Sequence, residues 1–361
     1  MTLHPSPAIE SAIRSIGPLS EGDLAQAQRR LDSLTKPPGS LGRLEELAKL
    51  YIAIRQPNPT PISQKSIYIF AADHGVVQEG VSAYPSDVTR QMVLNFLNQG
   101  AAINVLARHI GADVVVVDVG VDYDFGSVPG LIGKKIARGT RNMAKETAMT
   151  SLQAIQSIEI GIELATRACS NGNQILAAGE MGIGNTTAAT AVMCAVGKKS
   201  PRELAGRGAG VDDAGLLRKI QVLETALQKH APSSTDPMRI LESVGGFEIG
   251  AMTGFYLGAA AQRTPCIVDG LISAAGAVIA ILLEPKVKEY LIASHRSQEP
   301  AHEVFFQLSG LEPLLDLGMR LGEGSGAALA MNLLHASVNV YFEMATFEEA
   351  QISDKMNANA T

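Results

Sequence analysis

Glu323 is the acid in this chain whose setting most favours chemistry. It stands between Gly322 and Gly324, so few neighbouring side chains crowd it and its carboxylate is free to enter a pocket as a proton acceptor. Two plainer readings compete: a solvated loop carboxylate, or an acid that balances the dipole of a helix beginning just after it. The second element of interest is Gly179-Glu180-Met181-Gly182-Ile183-Gly184-Asn185-Thr186-Thr187, which joins an apolar segment to an alanine-rich one. Glycines at a strand-to-helix turn let the backbone approach an oxyanion, and the free N–H groups of the first helical turn point at it. A phosphate fits there. The macrodipole supplies only about 0.3–1 kcal/mol per charge, so further donors are required; Gly206-Arg207-Gly208-Ala209-Gly210 and Ser294-His295-Arg296-Ser297 are candidates. Taken singly, each glycine loop also reads as an ordinary turn.

A dinucleotide site is the main rival, because Gly182-x-Gly184 opens a helical segment and Glu203 lies at about the distance of a ribose-binding acid. Against it, Thr187 takes the third glycine position, and Ser200-Pro201-Arg202-Glu203 reads as a helix start rather than a strand end. No G-x-x-x-x-G-K-[ST] loop is present. Nor does an apolar strand end in an acidic pair, as expected of magnesium-dependent transferases that use a pyrophosphorylated ribose; Asp212-Asp213 follows glycines. Asp73, His74, His295 and His302 fall at strand ends without zinc-ligand spacing, so loop-shaping or substrate contacts are preferred to a metal. No metal and no cofactor are expected. Cys169, Cys194 and Cys266 are isolated thiols in apolar contexts and read as core residues.

The elements that position these residues follow from periodicity. Ser20, three residues before Asp23, predicts a capped helix running to about Leu34, and Lys36-Pro37-Pro38-Gly39 ends it. Leu41, Leu44, Leu47, Leu50, Tyr51 and Ile54 recur at helical steps until the proline-rich segment Pro57 to Pro61, which marks a domain boundary. From Ser66 onward short β-rich runs alternate with helical ones, the pattern of a parallel sheet with crossovers. The predicted strands are Ile67 to Ala72, Val114 to Val119, Gln174 to Ala178, Cys266 to Val268 and Tyr290 to Ala293. Each ends in a polar or glycine-rich turn, and those turns are expected along one edge, where α/β sheets bind ligands. The last apolar run, from Ala327 to about Met344, is expected to pack on the N-terminal helices.

Composition narrows the partners. The 361 residues are 46% hydrophobic but only 4% aromatic, with 35 glycines, which suits an aliphatic α/β core. A net charge of −6 and no long basic cluster argue against nucleic acid and anionic membranes, leaving small molecules. The longest apolar run, Leu271 to Leu283, is too short to span a bilayer, and Met1 to Ser15 lacks the basic-then-apolar pattern of a secretion signal. A cytoplasmic protein is expected.

Several motifs in order resemble the nicotinate-nucleotide:dimethylbenzimidazole phosphoribosyltransferases of cobalamin biosynthesis. They are Lys36-Pro-Pro-Gly-Ser-Leu-Gly-Arg-Leu-Glu45, Ala72-Asp-His-Gly-Val76, the Gly179 to Thr187 segment, Ser294-His-Arg-Ser-Gln-Glu-Pro-Ala-His302 and Leu321-Gly-Glu-Gly-Ser-Gly326. The resemblance implies a homodimer. Each subunit would have a large Rossmann-like α/β domain, residues 63–311, with helices on both sheet faces, and a small helical domain from both termini, residues 1–62 with 312–361. It implies attack of 5,6-dimethylbenzimidazole on nicotinate mononucleotide, giving α-ribazole 5′-phosphate and nicotinate, with Glu323 as general base and Glu180 as a second site carboxylate. By the same carry-over Ser86, Met92 and Leu321 line the base pocket, while Gly182, Ile183, Gly184, Asn185, Thr186, Gly208 and Ser297 hold the nucleotide phosphate. A nicotinamide-dependent oxidoreductase and a noncatalytic nucleotide-binding protein are the alternatives.

Overall fold

The computed structural model describes residues 5–353. Six strands form one all-parallel sheet: β1 (Lys65–Ala72), β2 (Asp113–Gly120), β3 (Leu131–Gly133), β4 (Ile175–Met181), β5 (Cys266–Val268) and β6 (Leu291–Ala293). Their order is β3-β2-β1-β4-β5-β6, the doubly wound arrangement, in which the chain reverses direction across the sheet between β1 and β4 and leaves a crevice at their carboxyl ends. The three-residue strand β3 escapes the sequence pattern. It lies at the sheet edge, pairs only through Leu131 to Gly133, and directly follows Pro129-Gly130, which reads as a turn. Strand β4 runs three residues past the expected Ala178, so Gly179, Glu180 and Met181 are ladder residues opposite Ile69, Phe70 and Ala71.

The helices are α1 (Pro7–Ser15), α2 (Glu21–Ser33), α3 (Arg43–Ile54), α4 (Asp87–Leu97), α5 (Ala102–Ile110), α6 (Ser151–Ser170) and α7 (Asn185–Gly197). Then come α8 (Pro201–Leu204), α9 (Asp213–His230), α10 (Pro237–Val244), α11 (Phe247–Ala261), α12 (Leu271–Leu283), α13 (His302–Ser309) and α14 (Ser325–Glu343). Ser20 caps α2 by accepting the Asp23 N–H, as its spacing predicts. No helix among the described residues is long and apolar enough to cross a membrane.

Successive strand residues point to opposite faces, and the two faces have separate cores. Tyr68, Phe70, Leu176 and Ala178 join α6, α7 and α10 to α13 on one side. Ile67, Ile69, Ile175 and Ala177 join α2 to α5 and α14 on the other. The tightest helix pair is α6 with α11. A Cβ on Gly161 would sit 1.9 Å from the Ala251 carbonyl oxygen, and one on Gly254 would sit 1.8 Å from that of Ile158, so only glycine permits this approach.

The segments after α2 and α14 meet where Leu34 bridges Thr346 and the Thr35 N–H donates to the Ala345 carbonyl, and α2, α3 and α14 pack together there. Their core is continuous with the sheet face. Helix α1, expected among them, packs instead on α6 and α11 on the opposite face, because Ile9 and Ile16 bury into that core.

Candidate active site

The carboxyl ends of β4, β5 and β6, with residues 320–323, surround a cavity of roughly 700 Å³, within the range of small-molecule sites. Asp73, His74 and Gly75, just after β1, and the turn after β2 do not line it. They support it from below: the Asp122 N–H donates to Asp73 Oδ2 at 2.8 Å, and the Cβ of His74 lies where a Cβ on Gly184 would come within 3.3 Å. His74 pairs through Nε2 with Glu248 Oε1 at 2.8 Å, both buried. Burial opposes charge on His74, yet Glu248 and Asp73 lift its pKa above the usual imidazole value.

One wall presents open backbone donors at a helix start, a setting able to take an anion. Gly182 crosses so close to β1 that a Cβ would lie 2.3 Å from the Ala72 carbonyl oxygen. Gly184 has φ +93° and caps α7 without a side chain, leaving the helix start open to a ligand. The Ile183 N–H is anchored on Thr89 Oγ1 at 3.1 Å. Behind Thr186 stands Lys219, from α9 and 1% exposed, whose Nζ lies 3.0 Å from Thr186 Oγ1 and 3.2 Å from the Gly206 carbonyl oxygen. Burial depresses its pKa to about 8 against the opposing pull of Glu299. Gly208 is clamped at both ends, its N–H on Glu299 Oε1 at 2.9 Å and its carbonyl under Arg320 Nη1 at 3.0 Å.

The other wall is acidic. Glu323 has φ +62° between Gly322 and Gly324, both at φ +85°, and it is only 7% exposed. This is neither a loose nor a solvated loop. Its Oε2 accepts the Ile103 N–H in the first turn of α5 at 3.4 Å, so its carboxylate meets the positive end of α5 and not that of α14, the helix that follows it. Burial raises its pKa above the ordinary value, the Ile103 N–H pulls the other way, and Asp269 raises it further. Glu180 accepts the Glu323 N–H on Oε1 at 3.4 Å and an Asn185 Nδ2–H on Oε2. Burial, then Asp269 and Glu248, carry its pKa to about 8.

A stability measurement follows from Glu180. Its folded pKa lies above the unfolded value, so between those two values the folded protein holds a proton that the unfolded chain has released. The associated stabilisation is full below about pH 4.5 and is lost as the pH rises towards about 8. Glu180→Gln has no such proton to lose. Its melting temperature should therefore fall less than wild type between about pH 5 and about pH 9. Parallel melting curves across that range would show that Glu180 does not hold the proton.

The family model described as Phosphoribosyltransferase matches residues 16–352. The chain belongs to the nicotinate-nucleotide:dimethylbenzimidazole phosphoribosyltransferase family. The enzyme of that name from Geobacter sp. strain M21 is 54% identical over 345 residues, covering 96% of this chain and 99% of its own. Another from Roseiflexus sp. strain RS-1 is 53% identical over 348 residues, covering 96% and 99%. The solved nicotinate-nucleotide:dimethylbenzimidazole phosphoribosyltransferase from Thermus thermophilus superposes with TM-score 0.87 at 43% identity, covering 93% of this chain and all of that one.

In this phosphoribosyltransferase the cavity is lined by Met92, Glu180, Gly182 to Thr186, Gly208, Ser297, Leu321 and Glu323. Ser86 is not among the lining residues. It is exposed at the start of α4, and residues two apart on a helix face opposite sides, so Val88 and Met92 face the cavity in its place, joined by Ser82 and Tyr84. Glu203 caps its own short helix through Ser200, with the Ser200 N–H on its Oε1 at 3.2 Å, which leaves the dinucleotide reading without its acid. His302 accepts the Ser297 N–H on Nδ1 at 3.1 Å; burial, then His295 and Arg296, push its pKa to about 3, so it is a neutral loop support. Among the described residues no three His, Cys, Asp or Glu side chains converge to hold a metal.

Sequence reasoning gave no site role to Lys219, Glu299, Arg320 or Asp269, although Asp269-Gly270 follows a predicted strand and Glu299 lies in the Ser294 to His302 motif. Lys219 left a signal of another kind. Gly215, Lys219, Val222, Leu223 and Ala226 form one buried stripe of α9, and a lysine at an apolar position of a helix needs a reason to be there.

Proposed function

We propose that this chain transfers the 5-phosphoribosyl group of nicotinate mononucleotide to 5,6-dimethylbenzimidazole, giving α-ribazole 5′-phosphate and nicotinate. The observation that carries this reading is the meeting, in one cavity, of a backbone anion site at the start of α7 with a buried carboxylate of raised basicity, Glu323. The nucleotide phosphate rests on the Gly182 to Thr186 loop and Gly208, with Ser297 beside it and the Lys219 charge behind Thr186. The benzimidazole ring lies on the apolar side chains of Val88, Met92 and Leu321.

Nicotinate leaves as a neutral pyridine nitrogen from a cationic pyridinium, so its departure needs no general acid. The acceptor attacks the anomeric carbon through one ring nitrogen, opposite the leaving group, which turns a β-nucleotide into an α-nucleotide. Its other nitrogen then sheds a proton. Glu323 takes that proton, and a carboxyl pKa raised by burial makes it a stronger base. Glu180 shapes the base from beneath through the Glu323 N–H. A homodimer and a cytoplasmic location belong to the same proposal and rest on the family resemblance, as does a unit of residues 1–62 with 312–361 against 63–311, from which α1 departs by packing on α6 and α11.

Purified protein incubated with nicotinate mononucleotide and 5,6-dimethylbenzimidazole should release nicotinate and form an α-linked ribotide in equal amounts. Nicotinate release without a ribotide would mean a hydrolase. Nucleotide binding with no product would mean a noncatalytic binder, and either result overturns the reading.

A further inference from the structure

The turn that carries Glu323 is held by a group outside the cavity lining. Gly322, Glu323 and Gly324 take positive φ in succession, and for a glutamate that conformation persists only where the surroundings enforce it. Helix α14 is capped by Gly324, which has no side chain to accept the first-turn N–H groups. Asp269, 1% exposed at the carboxyl end of β5, takes over that task from another part of the chain. Its Oδ2 accepts the Gly324 N–H at 3.1 Å and its Oδ1 the Ala327 N–H at 2.9 Å.

On the other side the Glu323 N–H rests on Glu180 Oε1 at 3.4 Å. From above, the Ser325 hydroxyl closes the turn on the Gly322 carbonyl at 2.7 Å. Gly179 completes the seat, because a Cβ there would lie 2.6 Å from the Glu323 carbonyl. Consecutive amides of the turn are thus gripped by carboxylates from two neighbouring strands, β4 and β5. An ordinary helix cap would come from a serine or aspartate at position 324 itself. Supplying it from β5 ties the direction of the Glu323 side chain to the sheet.

We propose that Asp269 is a positioning residue of the transfer reaction, fixing through the Gly324 and Ala327 amides the left-handed turn that aims Glu323 at the acceptor base. The inference rests on Glu323 being the base. Asp269 lies outside the cavity lining, with His295 Nδ1 3.9 Å from its Oδ1, and acts on Glu323 through the turn.

The test is a double-mutant cycle with Asp269→Asn and Glu323→Gln. Asparagine matches aspartate in size but has one acceptor oxygen for two amide donors, so one anchor is lost. Asp269→Asn alone should lower kcat by about 10- to 100-fold, the scale of a misplaced catalytic group, with the KM for nicotinate mononucleotide little changed. In the Glu323→Gln background the same change should cost almost nothing more, since there is no base left to aim. An equal loss in both backgrounds, or an unchanged kcat, overturns the inference. If Asp269→Asn does not fold, Asp269→Ser, smaller and still an acceptor, gives the same cycle. Full turnover by Glu323→Gln alone removes the base and the purpose of the clamp together, whereas a normal Glu323→Gln loss with an additive Asp269 effect removes the clamp alone.

Discussion

Glu323→Gln should lower turnover by about 10²–10⁴-fold while both substrates still bind. Glutamine keeps the length and one acceptor oxygen of the side chain but cannot take a proton from the attacking benzimidazole. An interaction gained mainly in the transition state shows in kcat and kcat/KM together and leaves ground-state binding in place. Because Glu323 is buried and accepts the Ile103 N–H, the substitution is an interior one. The glutamine carbonyl still accepts that hydrogen bond, which limits the change in stability to about 1 kcal/mol.

The wild-type pH profile gives an independent check. A protonated Glu323 cannot act as base, so kcat/KM should fall as the pH drops through its raised pKa, on an acid limb lying above the ordinary glutamate value of 4.5. Residual Glu323→Gln activity should lack that limb. Saturating assays of the folded variant decide the matter: near-wild-type turnover removes Glu323 as the base and leaves Glu180 as the next carboxylate to examine.

What sequence reveals here is what is local. Ser20 with Asp23, the leucine spacing of α3 and the β-rich runs of β1, β2, β4, β5 and β6 each carry their signal within a few residues, and so does the glycine loop before α7. Glu323 stands out for the same reason, flanked by two glycines that free its surroundings. Its rigidity does not, because that comes from Asp269 and Glu180, far away in the chain. The segment containing Ser86 does lie near the site, but the phase of α4 turns Val88 and Met92 inward, and helix phase after a proline turn is poorly marked by spacing. Helix α1 goes to the opposite sheet face because an amphipathic helix specifies that it buries a stripe, not which partner covers it. Lys219 is concealed by a different habit, that of reading every helical lysine as solvated.

Lys219→Met should weaken use of nicotinate mononucleotide by about 10- to 100-fold in kcat/KM, chiefly through KM, and leave benzimidazole binding unchanged. At an effective dielectric of about 20, an ammonium roughly 5 Å from a phosphate charge is worth about 3 kcal/mol. Thr186 adds to this. Because Lys219 donates to its Oγ1 at 3.0 Å, the threonine's own hydroxyl proton is left to point at the ligand. Methionine fills the same space without charge, and it also strands Glu299, whose Oε1 holds the Gly208 N–H, so part of the loss will come from a loosened Gly206 to Gly210 loop.

A pH series separates those contributions. With the Lys219 pKa brought down to about 8, the free wild-type enzyme loses this cation as the pH rises through that value. The KM for the nucleotide should therefore climb on the alkaline side. A bound phosphate favours the charged lysine, so saturation should push the alkaline limb of kcat to higher pH than that of kcat/KM. In Lys219→Met the alkaline climb disappears and only the constant loss from the loop remains. Unaltered nucleotide KM in a folded Lys219→Met protein, or an alkaline limb that survives the substitution, would mean that the buried lysine merely props up the loop and that the α7 start and Gly208 hold the phosphate without it.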